Sequence, residues 1–140
     1  MLNTAGIKSQ IGGNLGPPAL GFETPAKDEI IVLELSSYQL DLTQKATFDI
    51  AVFLNISPDH LDRHGNMDGY INAKRQILRN RVNTAEPQIA IIGVDDKNGR
   101  SLYKELSQRA GWKAIAITMS GTLDDGFYAN NGTLYKANAS

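Results

Sequence analysis

Four short stretches of this 140-residue sequence hold residue types that could organise phosphate chemistry. Glu34 interrupts the apolar run Ile30-Ile31-Val32-Leu33 before Leu35, so its carboxylate leaves what reads as a buried strand and needs a partner there. That partner is either solvent or a lysine, or a hard cation such as Mg²⁺, which takes one or two carboxylates together with phosphate oxygens and water. His60 and His64 stand four apart in His60-Leu61-Asp62-Arg63-His64, a spacing that could bring both to one helix face. Leu61 occupies the position where the His-Glu-x-x-His zinc proteases carry their base, and no third ligand is evident, so a surface pair competes with a zinc site. Of the two, His60 is the better candidate, because it lies beside Asp59 and nearer a strand end. Lys74 falls on the apolar stripe of a helix. Either its stem covers apolar surface while the amine reaches water, or the amine faces the sheet's carboxyl edge and reacts or binds an anion. Gly12-Gly13-Asn14-Leu15-Gly16 follows a strand but lacks the lysine and Ser/Thr of a phosphate loop, and by itself reads as a tight turn. The pattern Gly-x4-Gly-Lys-Ser/Thr occurs nowhere in the chain.

The elements that must position these residues follow from periodicity. Ile30-Ile31-Val32-Leu33, Ile50-Ala51-Val52-Phe53-Leu54, Ile89-Ala90-Ile91-Ile92 and Ala114-Ile115-Ala116-Ile117 are short apolar runs without polar alternation, which predicts strands buried on both faces. Met67, Tyr70, Ile71, Lys74, Ile77 and Leu78 share one face of a helix opening near Asn66 or Asp68. A second helix is expected to start at Asp95 or Asp96, bury Leu102 and Leu106, and end near Gly111. Strands alternating with helices predict an α/β domain with a largely parallel sheet, and ligands of such sheets bind at the carboxyl ends of the strands. Asn14, Glu34 and the stretch from Asn55 to His60 all fall at such ends. Near the C-terminus, Asn130-Asn131-Gly132 between Phe127-Tyr128-Ala129 and Thr133-Leu134-Tyr135 predicts a β-hairpin, with little to pack against. Leu2 to Gly6 reads as a helix end with a glycine stop, and a strand, Ser9-Gln10-Ile11-Gly12, follows at once. Both ends read as cuts through a larger protein.

Composition narrows the classes. A chain 41% hydrophobic and 21% charged is globular rather than disordered. A net charge of −1 with no basic clustering supplies no broad surface for nucleic acid. The absence of cysteine excludes disulfides and thiolate metal sites. Without an N-terminal basic and apolar leader, or an apolar run near the ~20 residues that span a bilayer, the expected location is the cytoplasm, away from membranes.

Taken in order, Gly12-Gly13-Asn14-Leu15-Gly16, Leu33-Glu34-Leu35-Ser36-Ser37-Tyr38-Gln39-Leu40, Leu54-Asn55-Ile56-Ser57-Pro58-Asp59-His60-Leu61-Asp62 and Tyr70-Ile71-Asn72-Ala73-Lys74 resemble the central domain of the Mur ligases. The resemblance is strong over residues 11–79 and continues beyond them as a fold pattern. It implies a P-loop-NTPase-like α/β domain of an ATP-dependent, Mg²⁺-using ligase of peptidoglycan synthesis. Within the family it is nearest to members that add D-glutamate to UDP-N-acetylmuramoyl-L-alanine. It further implies that Glu34 holds the magnesium bridging the ATP phosphates, that His60 lies near a second magnesium, and that Lys74 is carbamylated into a carboxylate-like ligand. Asn14, Ser36 and Gln39 match positions around the UDP-linked substrate. In the implied reaction ATP phosphorylates the substrate carboxylate and the D-glutamate amine attacks the acyl phosphate; two metal ions suit the charge that develops.

Departures from the family pattern set further expectations. The family's phosphate loop would lie just before Leu2, its UDP-gripping domain before that, and its C-terminal domain and a later Asn/His motif after Ser140. The chain is therefore expected to be a partial central domain over residues 1–140, inactive alone, with exposed sheet edges through which it self-associates. Asp59-His60-Leu61-Asp62-Arg63-His64-Gly65 also suits the sister ligase that adds a diamino acid to the dipeptide, whereas Gly12-Gly13-Asn14 and Ser37-Tyr38-Gln39 favour the D-glutamate enzyme. Leu35-Ser36-Ser37-Tyr38-Gln39 fits folylpolyglutamate synthase poorly. A noncatalytic α/β binding module and a zinc hydrolase using His60 and His64 are the readings from other classes.

Overall fold

In the computed structural model, which describes residues 1–82 and 84–138, the strands Ser9–Gly13 (β1) and Ile30–Glu34 (β2) pair in parallel, from Ser9 opposite Ile30 to Gly13 opposite Glu34. They belong to a unit spanning Met1–Gln44. A single 3-10 turn, Asn3–Ala5, precedes β1 and is stopped by Gly6 at φ 74°, so the expected glycine stop ends a turn and not an α-helix. The six-residue helix Ser37–Leu42 (α1) follows β2. Burial of β2 on both faces is not observed: Ile30, Ile31 and Val32 are each about 40% exposed. A two-stranded sheet followed by one short helix lacks the layers to cover them.

The second unit, Lys45–Ser140, carries a five-stranded sheet in the order Ile50–Phe53 (β3), Gln88–Gly93 (β4), Trp112–Thr118 (β5), Gly126–Asn130 (β6) and Thr133–Ala137 (β7). β3 through β6 are parallel neighbours and β7 is antiparallel, so the α/β class with a largely parallel arrangement and a C-terminal hairpin holds. The strands are divided between two sheets, one in each unit. The hairpin does not stand alone either: β6 adds to β5 through Ile117 opposite Phe127, and its turn uses Asn131 and Gly132 at positive φ.

Leu61–His64 (α2) and Met67–Arg75 (α3) connect β3 to β4, and Lys97–Leu106 (α4) connects β4 to β5. α3 starts where Asn66 accepts the Gly69 N–H, and α4 where Asp96 accepts the Gly99 N–H. Ala51, Phe53, Ala90 and Ile92 form one core with Ile56, Tyr70, Leu78, Leu102, Leu106 and Trp112, the last with its indole N–H donating to Asn80 at 2.7 Å. Buried Gln88 is satisfied by donating to the Phe48 and Arg79 carbonyls and accepting from Arg81 N–H. Burial on both faces fails for β3 as well. Ala51 and Phe53 are buried, but Ile50 and Val52, pointing the other way, are about half exposed, because the packed core lies on one face.

Candidate functional site

In the first unit the carboxyl ends of β1 and β2 converge. Gly13, at φ 106°, pairs with Glu34, and a side chain there would overlap the Glu34 carbonyl. The next residue, Asn14, donates its backbone N–H to that carbonyl at 2.7 Å. Gly12 admits the returning Pro17 carbonyl and the Phe22 ring, which a Cβ would strike. The glycines thus serve close backbone approach and place Asn14 beside Glu34. The Glu34 side chain is exposed, so its carboxylate is open to solvent, one of the partners the sequence allowed.

Two residues further on, Ser36 caps α1. Its hydroxyl accepts the Gln39 N–H at 3.3 Å, while Gln39 Oε1 accepts the Ser36 N–H at 2.9 Å and the Ser36 hydroxyl at 3.1 Å. With two hydrogen bonds already on Oε1, Gln39 would meet a ligand through Nε2. Asn14, Glu34, Ser36 and Gln39 therefore share the carboxyl end of one strand pair.

The other two candidates, His60 and Lys74, lie in the second unit. His60 is not on a helix face with His64: it is the residue preceding α2, in the left-handed region at φ 50° and ψ 35°. This conformation is uncommon for a non-glycine residue and costs of order 1 kcal/mol or more. Asp59 brackets it, with Oδ1 accepting the His60 N–H at 2.9 Å and Oδ2 3.4 Å from Nε2. The ring is exposed. His64 instead lies against Tyr70, with ring centroids 5.8 Å apart.

Lys74 is half-buried, and its Nζ sits 5.2 Å from the Tyr70 ring centroid and 5.9 Å from that of Phe53, the last residue of β3. The amine thus approaches the carboxyl end of β3 between two aromatic faces that favour a cation. Phe53 and Tyr70 were legible in the sequence only as core, and nothing in spacing marks them as walls for an amine. Also unsuspected is a tie on the loop from β3 to His60. Ile56 donates its N–H to Asp96 Oδ2 at 3.1 Å, and its carbonyl accepts from Asn98 Nδ2 at 3.4 Å.

A cavity of about 450 Å³ opens at the carboxyl ends of β3, β4 and β5, lined by Leu54, Gly93, Ile117, Phe127 and Leu134, with Asn55 and Asp95 among its polar groups. The Thr118 hydroxyl and the Met119 N–H donate to Asp95 and hold its carboxyl below the usual aspartate value. Neither His60 nor Lys74 lines this cavity. Among the described residues no three His, Cys, Asp or Glu side chains gather as a ready-made metal cage. No helix among them is long and apolar enough to cross a membrane.

Known proteins are similar in sequence to this chain along nearly its whole length. The family model described as the Mur ligase middle domain matches residues 2–136. UDP-N-acetylmuramoylalanine--D-glutamate ligases of Phenylobacterium zucineum, Caulobacter vibrioides and Rhodospirillum rubrum are 45%, 46% and 44% identical over 95%, 96% and 98% of the chain. The chain spans 28% of the length of each of these relatives. With a match over so much of its length, the chain belongs to the Mur ligase family, as a middle domain.

Proposed function

We propose that this chain serves, within a longer protein, as the middle domain of the ATP-dependent ligase that joins D-glutamate to UDP-N-acetylmuramoyl-L-alanine in the cytoplasm. The observation that carries the reading is the 44–46% identity, over nearly the whole chain, to relatives bearing that name. The geometry supports it in kind: polar candidates stand at the carboxyl ends of parallel strands in both units.

The side chains fit the implied magnesium by donor chemistry. Glu34 offers an exposed carboxylate, the donor type magnesium takes, and the Asp59 carboxylate beside His60 offers another, whereas the imidazole itself is a poorer donor and would act near the ion. Bound magnesium would neutralise charge on the transferred phosphoryl group. Lys74 suits the role only after modification, since an ammonium has no lone pair for a metal. Its neutral amine would add to CO₂, forming an N–C bond and releasing one proton. The Phe53 and Tyr70 faces favour the cation over the resulting carbamate, so the carbamate needs a metal beside it. Asn14 and Gln39 would orient the UDP-linked substrate, with Ser36 holding Gln39 in place through the capping box.

The test uses the full-length protein with ATP and either UDP-N-acetylmuramoyl-L-alanine plus D-glutamate or the UDP-linked dipeptide plus a diamino acid. Amide formed only from the dipeptide would move the assignment to the sister ligase, and no ATP-dependent amide from either pair would end the ligase reading. Lys74→Ala should abolish turnover, and an active Lys74→Ala enzyme would remove that residue from the site.

We also propose that the isolated 140-residue chain self-associates along β3, which among the described residues pairs with β4 alone and presents half-exposed Ile50 and Val52.

A further inference from the structure

We propose that Asp96, assisted by Asn98, is a positioning residue for His60, acting through the backbone of Ile56; this rests on the reading of His60 as a metal-site residue. Residues 54–60 leave β3 without regular structure, and such a segment holds a functional group in place only if its backbone is tied down. Ile56 is the tie point. Its side chain is buried in the core at 4% exposure, and its backbone N–H and C=O are each met by a side chain from the start of α4. The Asp96 carboxylate divides between two duties: Oδ1 accepts the Gly99 N–H at 2.8 Å and caps α4, while Oδ2 accepts the Ile56 N–H at 3.1 Å. A carboxylate can do both because each oxygen accepts independently, whereas a hydroxyl or carboxamide offers one acceptor atom.

From Ile56 only Ser57, Pro58 and Asp59 intervene before His60. Pro58 fixes its own φ, and Asp59 accepts the His60 N–H, so little slack remains between the clamp and the left-handed His60. Groups that orient a metal ligand without touching the metal typically change affinity or activity by ~10–100-fold when lost.

The two duties can be separated. Serine is a good helix cap but too short to reach Ile56, so Asp96→Ser keeps the α4 start and drops the clamp. In the full-length enzyme, Asp96→Ser should raise the Mg²⁺ concentration for half-maximal turnover by ~10–100-fold and leave KM for the UDP-linked substrate nearly unchanged. Amide hydrogen exchange should quicken over residues 54–60 and stay unchanged over α4. Asn98→Ala, which leaves the Asp96 cap intact, should shift the Mg²⁺ requirement in the same direction by less, and serves as the second variant if Asp96→Ser folds poorly. In the double variant His60→Ala, Asp96→Ser, the second change should add nothing to the Mg²⁺ requirement, because its effect runs through His60. If His60→Ala shifts the requirement while Asp96→Ser and Asn98→Ala do not, the clamp is overturned and the reading of His60 stands. If His60→Ala itself shifts nothing, the reading of His60 fails and takes the clamp with it.

Discussion

Gly99→Ala sets two opposing effects against each other at the start of α4. Alanine is better than glycine in a helix by ~0.8–1.0 kcal/mol, so propensity alone predicts a more stable protein. Gly99 is buried, however, and a Cβ there would overlap the Gly93 carbonyl oxygen, lie 3.2 Å from its carbon and 3.4 Å from Asp96 Oδ2. Gly93 cannot retreat easily. It packs so closely on β3 that a Cβ of its own would overlap the Leu54 carbonyl. The backbones of Leu54, Gly93 and Gly99 therefore stack without side chains between them, and relief requires α4 to lift from β4. Lifting would loosen Leu102 and Leu106, exposed by only 3% and 0%, and would stretch the Asp96 cap. Forcing extra atoms into a packed site costs ~1–3 kcal/mol, and a weakened cap adds up to ~1 kcal/mol.

Against a gain near 1 kcal/mol, the net expectation is destabilisation by about 0–3 kcal/mol, centred near 1.5 kcal/mol. For a unit of this size the centre of that range lowers the melting midpoint by roughly 10 °C. Trp112 is the only tryptophan and sits in the same core, so its fluorescence during thermal or urea unfolding reports on this unit. Gly121→Ala is the control, since a Cβ there meets nothing within 4 Å. A midpoint that rises in Gly99→Ala, or that matches the control, would refute the reasoning by showing that α4 moves without penalty.

Leu106→Ala should cost ~2–5 kcal/mol in urea unfolding, since Leu106 is fully buried in the core of the second unit; a loss under ~1 kcal/mol would mean that the site collapses around the smaller residue. Arg75 Nη2 donates to Glu105 at 2.5 Å and holds its carboxyl below the usual glutamate value, so this pair adds stability above that ordinary value and loses it as pH falls through the lowered one. The Glu105 side chain is 44% exposed, which limits the effect to less than ~1 kcal/mol, and Glu105→Gln should flatten that acidic segment of the stability profile; an unchanged profile would deny the linkage. Val52→Lys places a charge on the half-exposed face of β3 and should shift the isolated chain toward monomer in sedimentation velocity; unchanged association would exclude this strand as the contact.

The sequence carried the elements further than their surroundings. Asn66 and Asp96 announced the two longer helices by cap chemistry, and Asn131-Gly132 announced the hairpin, because these signals act over a few residues. Burial was misjudged for β2 and β3 because an unbroken apolar run states what a strand would tolerate on each face, not which layers are present. The spacing of His60 and His64 suggested a shared helix face, yet His60 adopts a left-handed conformation before the helix begins, which no period of 3.6 can signal. Gly12 and Gly13 read as a tight turn, and their close approaches to Pro17 and Glu34 depend on chain segments brought near by strand pairing. The aromatic setting of Lys74 was hidden for a related reason. Tyr70 was visible one turn away, whereas Phe53 comes from another element.

His60 and Lys74 lie fourteen residues apart in sequence, yet both depend on the last turn of chain leaving β3. Phe53 ends that strand and supplies one wall for the Lys74 amine, and three residues later Ile56 is locked by its buried side chain and by Asp96 and Asn98. Phe53, Ile56 and Tyr70 all belong to the same core, so the packing that stabilises the second unit is also the packing that orients these two groups. Placement therefore draws on the core together with the Asp96 and Asn98 contacts to the Ile56 backbone. It follows that core substitutions near the end of β3 should alter function before they unfold the unit, whereas equal losses of stability at Leu106, the last residue of α4, should leave the geometry of His60 and Lys74 intact until unfolding itself begins.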